Sequence, residues 1–504
     1  MLVLGGCRGP GAVPETRARL SELQATGAGP MYPAFDPGVL HYAVRCADGT
    51  TVQLAARAAD ADATLRLLHD GSTGTGSLAA SITLNRDLDI DIAIQVGDSP
   101  AAATYVVHCI PPDFPDIVIE TSTAGVSDGL LLMTPGVRGS DKSFLAIVDN
   151  NGVPRWVMRP NQRARNFRRH PDGRYSFSEQ RQADGEASVE PTVILDARFR
   201  RIDTATLAGD RLPEHTGGHD FLILDNGNYL VMSYYPVQRD FSAFECDGEP
   251  CSVPPGTATD SVIQEVTPDG NLVLEWNSWE HVKIEDCTIH RFPEDYAHLN
   301  SLHELEGDIV AGLRGCAQVL LLERATGAVV WQMGGDPAIR TDRPAPSTGA
   351  ARYLPVVGDP EGEFCGQHHV TATAAGSVLM FDNGTHCLGP RKDRPAVTRI
   401  VEYDISSGTE ARFAREYRLA ESIGHAFSGG GVTALETGNW LITWGNNFRG
   451  PNGAMVPTPF AVSEVDTRGN EIFRLRMTLN GEQYGTGRVY RERESDLQIP
   501  LNLP

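Results

Sequence analysis

The chain has 504 residues, of which 41% are hydrophobic and 21% charged. This is globular composition with room for two or three domains, and it excludes a disordered or fibrous protein. The net charge of −22 argues against nucleic acid or an anionic membrane as the main partner, and any anionic substrate would need positive charge gathered in its pocket.

Taken in chain order, the N-terminus offers Leu4-Gly5-Gly6-Cys7. This has the form of a bacterial lipobox, which would make Cys7 a lipidation site, although the apolar stretch before it is shorter than usual. Residues 1–30 read as a leader and flexible linker. Residues 31–112 carry short alternating segments at 41–45, 51–58, 63–68, 78–84, 90–96 and 104–110, separated by Asp, Gly and Pro. That spacing predicts a small β-sandwich. The run Phe35-Asp-Pro-Gly-Val-Leu-His-Tyr-Ala-Val44 resembles the opening of cadherin-like β-sandwich modules of bacterial surface proteins, which implies a spacer or docking role. No later apolar run reaches the roughly 18 residues of a transmembrane helix.

From residue 113 to 504 a longer unit repeats six times. Each copy holds two Gly-turned hairpins. The second turns fall at Gly152, Gly270, Gly327, Gly408 and Gly469, and an aromatic follows each: Trp156, Trp276, Trp331, Phe413 and Phe473. Two hairpins are four strands. Six such units predict an all-β fold, a six-bladed β-propeller preceded by the sandwich, with the aromatics packing blade on blade.

Three histidines share one register in this repeat. His219 lies eight residues before Gly227, His368 eight before Gly376, and His298 nine before Gly307. In a propeller the loops leading into the inner strands gather at one mouth, so these imidazoles are expected to converge. Adjacent strand residues face opposite ways, so of His368 and His369 only one can enter the channel, and the shared register favours His368. Arg314 follows the strand that His298 opens and is expected to return to the same mouth. Three His and one Arg make a trap for phosphate, sulfate or carboxylate. Asp382-Asn383 reads as a turn-capping pair without chemistry. The run Gly136-Val-Arg-Gly-Ser-Asp-Lys-Ser143 fails as a P-loop, because Asp141 stands where the motif needs Gly and it joins two strands. Arg391-Lys392-Asp393-Arg394 reads as a solvated loop.

Beyond Cys7 there are eight cysteines, and no Cys-x-x-Cys spacing suggests zinc. Cys365 and Cys387 lie nearly symmetrically about the turn at Gly376. Cys246 and Cys251 could close a small loop. Cys46 and Cys109 flank the sandwich, and Cys287 with Cys316 is left over. Disulfides imply an oxidising compartment.

The segments His219-Asp-Phe-Leu-Ile-Leu-Asp-Asn-Gly-Asn, Asp295-Tyr-Ala-His-Leu-Asn-Ser301, Gly366-Gln-His-His369 and Phe381-Asp-Asn-Gly384 resemble, in this order, the bacterial arylsulfate sulfotransferases. The resemblance implies an exported enzyme, periplasmic or at the cell surface, that moves a sulfuryl group from a phenolic sulfate ester to a phenolic acceptor. It implies no cofactor and no nucleotide sulfate donor. A histidine carries the group covalently. By position, His368 resembles the nucleophile, His219 and His298 the supporting histidines, and Arg314 the sulfate-binding arginine. Asn300 and His369 are expected as substrate contacts. The expected partners are therefore a phenolic donor and acceptor, a lipid anchor at Cys7, and a second copy of the chain in a homodimer. Two other classes compete: a His-ligated, metal-dependent propeller lyase or oxygenase, and a non-catalytic sulfate- or glycan-binding surface protein. A cation would be repelled by Arg314, and no matched carboxylate ligand accompanies the histidines.

Overall fold

A computed structural model of the chain describes residues 18–85, 90–97, 102–137, 142–180, 190–246, 249–253, 258–282, 287, 293–335, 351–387, 395–420, 423–445 and 447–504. Cys7, the basic run at 391–394 and the side chain of Cys246 lie outside the described residues, and so does the expected Cys246–Cys251 pairing. The described residues are almost entirely strand and turn. No helix is long and apolar enough to cross a membrane.

The chain divides into two compact units. The first contains the described residues up to Phe114 together with Val153–Met158 and Ile499–Pro504; the second contains Pro115–Gly152 and Arg159–Gln498. In the first, strict alternation drives the fold. Val52, Leu54, Ala56 and Ala58 of the strand Thr51–Ala58 are buried while the residues between them face out. This strand is the centre of a three-stranded sheet with Leu20–Thr26 and Ser77–Thr83. A five-stranded sheet, running His41–Arg45, Ala103–Ile110, Ile90–Val96, Thr64–Leu67, Thr73–Thr75, shares its core. Leu20–Thr26 corrects the reading of residues 1–30 as leader and linker. Its buried Leu20, Leu23 and Ala25 pair across a bulge with Thr51–Ala58, and the bulge hides the alternation from a simple period-two reading. Cys46 and Cys109 are bonded within this unit.

The second unit is propeller-like. Mainly antiparallel sheets follow one another in chain order, built on consecutive hairpins, and two of them carry a parallel edge strand, Arg352–Leu354 and Val356–Val357. Arg163–Arg169 to Arg201–Ala205 form one. Gly217–Ile223 to Leu272–Asn277 form the next. Leu299–Leu305, His368–Ala372 and Gly431–Ala434 each open another. The sheet around Leu130–Met133 and Leu145–Val148 takes its inner strand, Tyr490–Glu492, from the far end of the chain. The sheet around Val462–Val465 and Glu471–Leu479 takes in Asp116–Ser122 from the start of the unit. The aromatics after the turns pack between sheets. Buried Trp276 shares a cluster with Leu320, Leu322 and Val329 of the following sheet, and Trp331 with Val378, Met380 and Val401 of the one after. Cys287–Cys316 and Cys365–Cys387 are bonded in this unit.

Candidate functional site

The residues leading into the inner strands meet at one cavity of about 690 Å³. His219 reaches it from the start of Gly217–Ile223, His298 from just before Leu299–Leu305, and His368 from the start of His368–Ala372. Arg314 lines it from the end of Asp308–Leu313, where its backbone N–H donates to the carbonyl of His298 at 3.0 Å. The three histidines singled out by register and Arg314, singled out by its place after the His298 strand, therefore share one space.

The sequence reading overlooked others in the same wall. Eight residues before Gly173 stands Arg165, and eight before Gly438 stands Gly430; both line the cavity. The register that picks out His219 and His368 would have found them, had it been applied where no histidine occurs. Arg163 and Arg488 also line the cavity. Among the described lining residues, four arginines and four histidines, the fourth being His386, face only Glu294 and Asp295. Positive charge is thus concentrated here in a chain of net charge −22.

These charges are not equally free. Arg488 pairs with buried Asp220 at 2.5 Å and donates to the Asn300 carbonyl. Arg165 lies 3.3 Å from Glu190. Arg314 carries a buried Nε with no hydrogen-bond partner. Burial draws its guanidinium below the ordinary arginine value, and Asp295 opposes that. An unpartnered buried donor is costly unless something fills it, and a bound oxyanion would.

The histidines differ in their settings. His298 donates from Nδ1 to Asp295 Oδ2 at 2.5 Å. Its ring lies 5.7 Å from that of His219, edge to face, and 5.0 Å from that of Tyr234. Tyr234 is fixed by a 2.6 Å bond to the Leu299 carbonyl, and burial raises its phenol well above the ordinary value. His219 is held well below the usual imidazole range by burial first and then by His298. His368 is also held well below that range, by burial and then by Arg314, so it is neutral. Its Nδ1 faces Asn383 Oδ1 at 2.7 Å and its Nε2 faces the Gly429 N–H at 3.1 Å. Asn383 therefore touches His368, a contact that its reading as a turn cap did not include.

Asn300 and His369, expected to touch substrate, are not among the cavity's lining residues. The Asn300 side chain is fully buried and donates to the Gln367 carbonyl at 2.7 Å. His369 accepts the Val432 N–H at Nδ1, 3.1 Å away, and its ring meets Tyr490 edge to face. His369 sits at φ +47°, inside a register shift between His368 and Thr371. His368 thus faces the cavity and His369 does not, but the turn between them is a bulge rather than plain strand alternation. One apolar ring, Phe427, stands in the wall between His386 and Arg449, whose guanidinium carbon lies 4.2 Å from the ring centre. No group of three or more His, Cys, Asp or Glu that could hold a metal is present among the described residues.

The arylsulfotransferase (ASST) family model matches residues 116–444, well over half of the chain. No curated protein matches it. Among solved structures it is similar to a protein of unknown function from Bacteroides caccae, at 12% identity over 69% of this chain and 93% of that one, with a TM-score of 0.37. It is also similar to a quinonprotein alcohol dehydrogenase-like protein from Bacteroides thetaiotaomicron, at 8% identity over 92% and 99%, with a TM-score of 0.30. The β-propeller domain of the Trilobed protease from Pyrococcus furiosus matches at 9% identity over 74% and 98%, with a TM-score of 0.29.

Proposed function

The chain belongs to the arylsulfotransferase family, and on that premise we propose that it moves a sulfuryl group from a phenolic sulfate to a phenol through a covalent adduct on His368. The observation that carries this reading is the cavity itself. Neutral His368 shares it with Arg314, whose buried Nε lacks a partner. A neutral imidazole is a nucleophile. Arg314 is the group suited to the sulfuryl oxygens. His298, with Nδ1 on Asp295, is oriented to give a proton to the departing phenolate and recover it from the acceptor. His219 sits beside it. Phe427, the aromatic ring of Phe, Tyr or Trp type among the described lining residues, offers a face against which an aryl ring can lie.

The disulfides fit an exported enzyme in an oxidising compartment, periplasmic or at the surface. Lipidation at Cys7 would hold it there. A metal-dependent reaction is disfavoured by the donor set, since Arg314 would repel the cation.

The test is a rapid-mixing experiment with a chromogenic aryl sulfate and no acceptor. One equivalent of phenol is expected in a burst, leaving a sulfuryl group on His368 that is trapped at alkaline pH. His368→Ala abolishes burst and turnover. Arg314→Ala keeps the nucleophile and slows the burst by about 10²–10³-fold, the usual cost of one lost oxyanion contact. If neither substitution changes turnover, the mechanism is wrong; if His369→Ala removes the burst and His368→Ala does not, the nucleophile is misassigned.

A further inference from the structure

Asn383 lies one residue beyond the strand Ser377–Asp382, on the turn that faces the loop 426–430. Its neighbours hold it rigidly. Buried Asp382 accepts the backbone N–H groups of Cys365 and Gly384, both at 3.0 Å, and receives Arg399 Nε at 2.8 Å. The Asn383 amide nitrogen donates to two carbonyls, Ala426 at 2.9 Å and Gly429 at 3.0 Å. An amide nitrogen facing two carbonyls cannot be exchanged for the oxygen. The Oδ1 end must therefore face His368.

That orientation decides where the His368 proton sits. Nδ1 meets two acceptors and no donor: Asn383 Oδ1 at 2.7 Å and the Gly366 carbonyl at 3.1 Å. Nε2 meets a donor, the Gly429 N–H at 3.1 Å. Three separate groups thus require the proton on Nδ1 and the lone pair on Nε2. The bonds also close a ring: Gly429 N–H to Nε2, Nδ1–H to Asn383, and Asn383 back to the Gly429 carbonyl.

We infer that Asn383 is a positioning residue for sulfuryl transfer, locking His368 as the Nδ1–H tautomer so that Nε2 is the atom that attacks sulfur, with Gly429 N–H capping that lone pair until substrate displaces it. This rests on the proposed transfer reaction. In the first half the Nε2 lone pair forms the N–S bond. The S–O bond to the aryl oxygen breaks and its electron pair leaves with the phenolate, which takes a proton from His298. The Gly429 N–H passes to a sulfuryl oxygen. The ring keeps its Nδ1 proton and becomes an N-sulfonated imidazolium, its charge stabilised by the Asn383 oxygen. In the second half the acceptor oxygen, its proton lost to His298, attacks sulfur and the N–S pair returns to Nε2. A neutral amide suits this cycle because it accepts a hydrogen bond without removing the proton. A carboxylate in its place would draw the proton away and leave a neutral N-sulfoimidazole, a poorer sulfuryl donor.

The experiment is ¹⁵N NMR of the histidine-labelled full chain, with the His368 signals identified by their loss in His368→Ala, alongside rapid-mixing kinetics. The unmodified protein is expected to show a protonated Nδ1 and a lone-pair Nε2 at His368. In Asn383→Ala that pattern is lost, and the phenol burst slows by roughly 10²–10⁴-fold, the span that lost donors and wrong tautomers cost in other enzymes, with little change in donor affinity. In Asn383→Asp, discharge to acceptor slows more than the burst. A proton on Nε2 in the unmodified protein overturns the inference without any variant, and so does Asn383→Ala with unaltered tautomer and burst. No burst from the unmodified protein, whatever its tautomer, would instead overturn the transfer reading, and Asn383's part in it would fall too.

Discussion

Burial depresses the imidazoles of His219, His368 and His369 well below their ordinary 6.5, and this has a thermodynamic consequence. Below that value the unfolded chain binds protons at these rings while the folded chain does not. Stability is therefore full above about pH 6.5 and falls as pH drops from there toward the depressed folded values. Thermal unfolding followed from about pH 8 to about pH 5 should show the melting temperature falling near 6.5, well before carboxylates such as Glu265, held down to about 2 chiefly by Arg324, begin to protonate. A melting temperature flat across that interval would show that the rings are not held neutral. At this same scale, the sequence disclosed the three histidines because a repeat gives equivalent residues equivalent positions, and Arg314 because it follows the strand that His298 opens. It did not disclose that Asn383 bonds to His368, a contact that spans 15 positions with no periodic relation. Nor did it reveal the positive φ of Asn166, His298 and His369 beside the cavity. Those backbones are costly for residues with a Cβ; Asn166 and His369 sit inside register shifts, between Arg165 and Arg168 and between His368 and Thr371, that impose them.

The hairpin that begins at His368 is clamped at its open end by Cys365–Cys387. The bridge encloses both His368 and Asn383, and the Cys365 carbonyl also accepts the Gly384 N–H at 3.0 Å. Loss of such a bond costs about 2–4 kcal/mol. Replacing both cysteines with alanine should lower the melting temperature and, below the unfolding range, slow turnover, because the His368–Asn383–Gly429 ring loosens. Replacing Cys46 and Cys109 should cost stability while leaving turnover intact, since among the described residues no lining residue of the cavity precedes Thr134. Equal turnover losses from the two pairs would show that the effect is global destabilisation. Most hairpins were readable because the turn glycine sits in the left-handed region, as at Gly227 with φ +84° and Gly376 with φ +86°, whereas the turn between Thr192–Leu195 and Arg201–Ala205 has no glycine and places Phe199 there at φ +60°. The inner strand Tyr490–Glu492 was not readable. Three residues carry no period, and their partner Leu130–Met133 lies at the other end of the unit.

At the scale of the whole chain, the last residues, Ile499–Pro504, belong with the N-terminal unit and not with the sheets that precede them. The Asn502 N–H donates to Asp91 Oδ2 at 2.9 Å, and the Asp91 N–H donates to the Asn502 carbonyl at 2.8 Å. Asp91 is buried, and its other oxygen meets His108 Nδ1 at 2.5 Å; His108 Nε2 in turn meets His41 Nδ1 at 2.9 Å. Burial first, and then Arg155, holds His41 down to about 2, so that ring stays neutral. This contact joins residues 411 positions apart, and nothing in the local sequence of either partner announces it. Deleting 499–504 removes one hydrogen bond from a buried carboxylate, a change that costs roughly 1–3 kcal/mol. Every described lining residue of the cavity lies in the other unit. The shortened enzyme should therefore unfold its N-terminal unit at lower temperature, seen by calorimetry as a transition moved down, while turnover per folded molecule with a phenolic donor and acceptor stays unchanged at 25 °C. Lost turnover in a shortened but folded enzyme would give the N-terminal unit a share in the reaction, and an unshifted transition would show that the tail carries no stability at all.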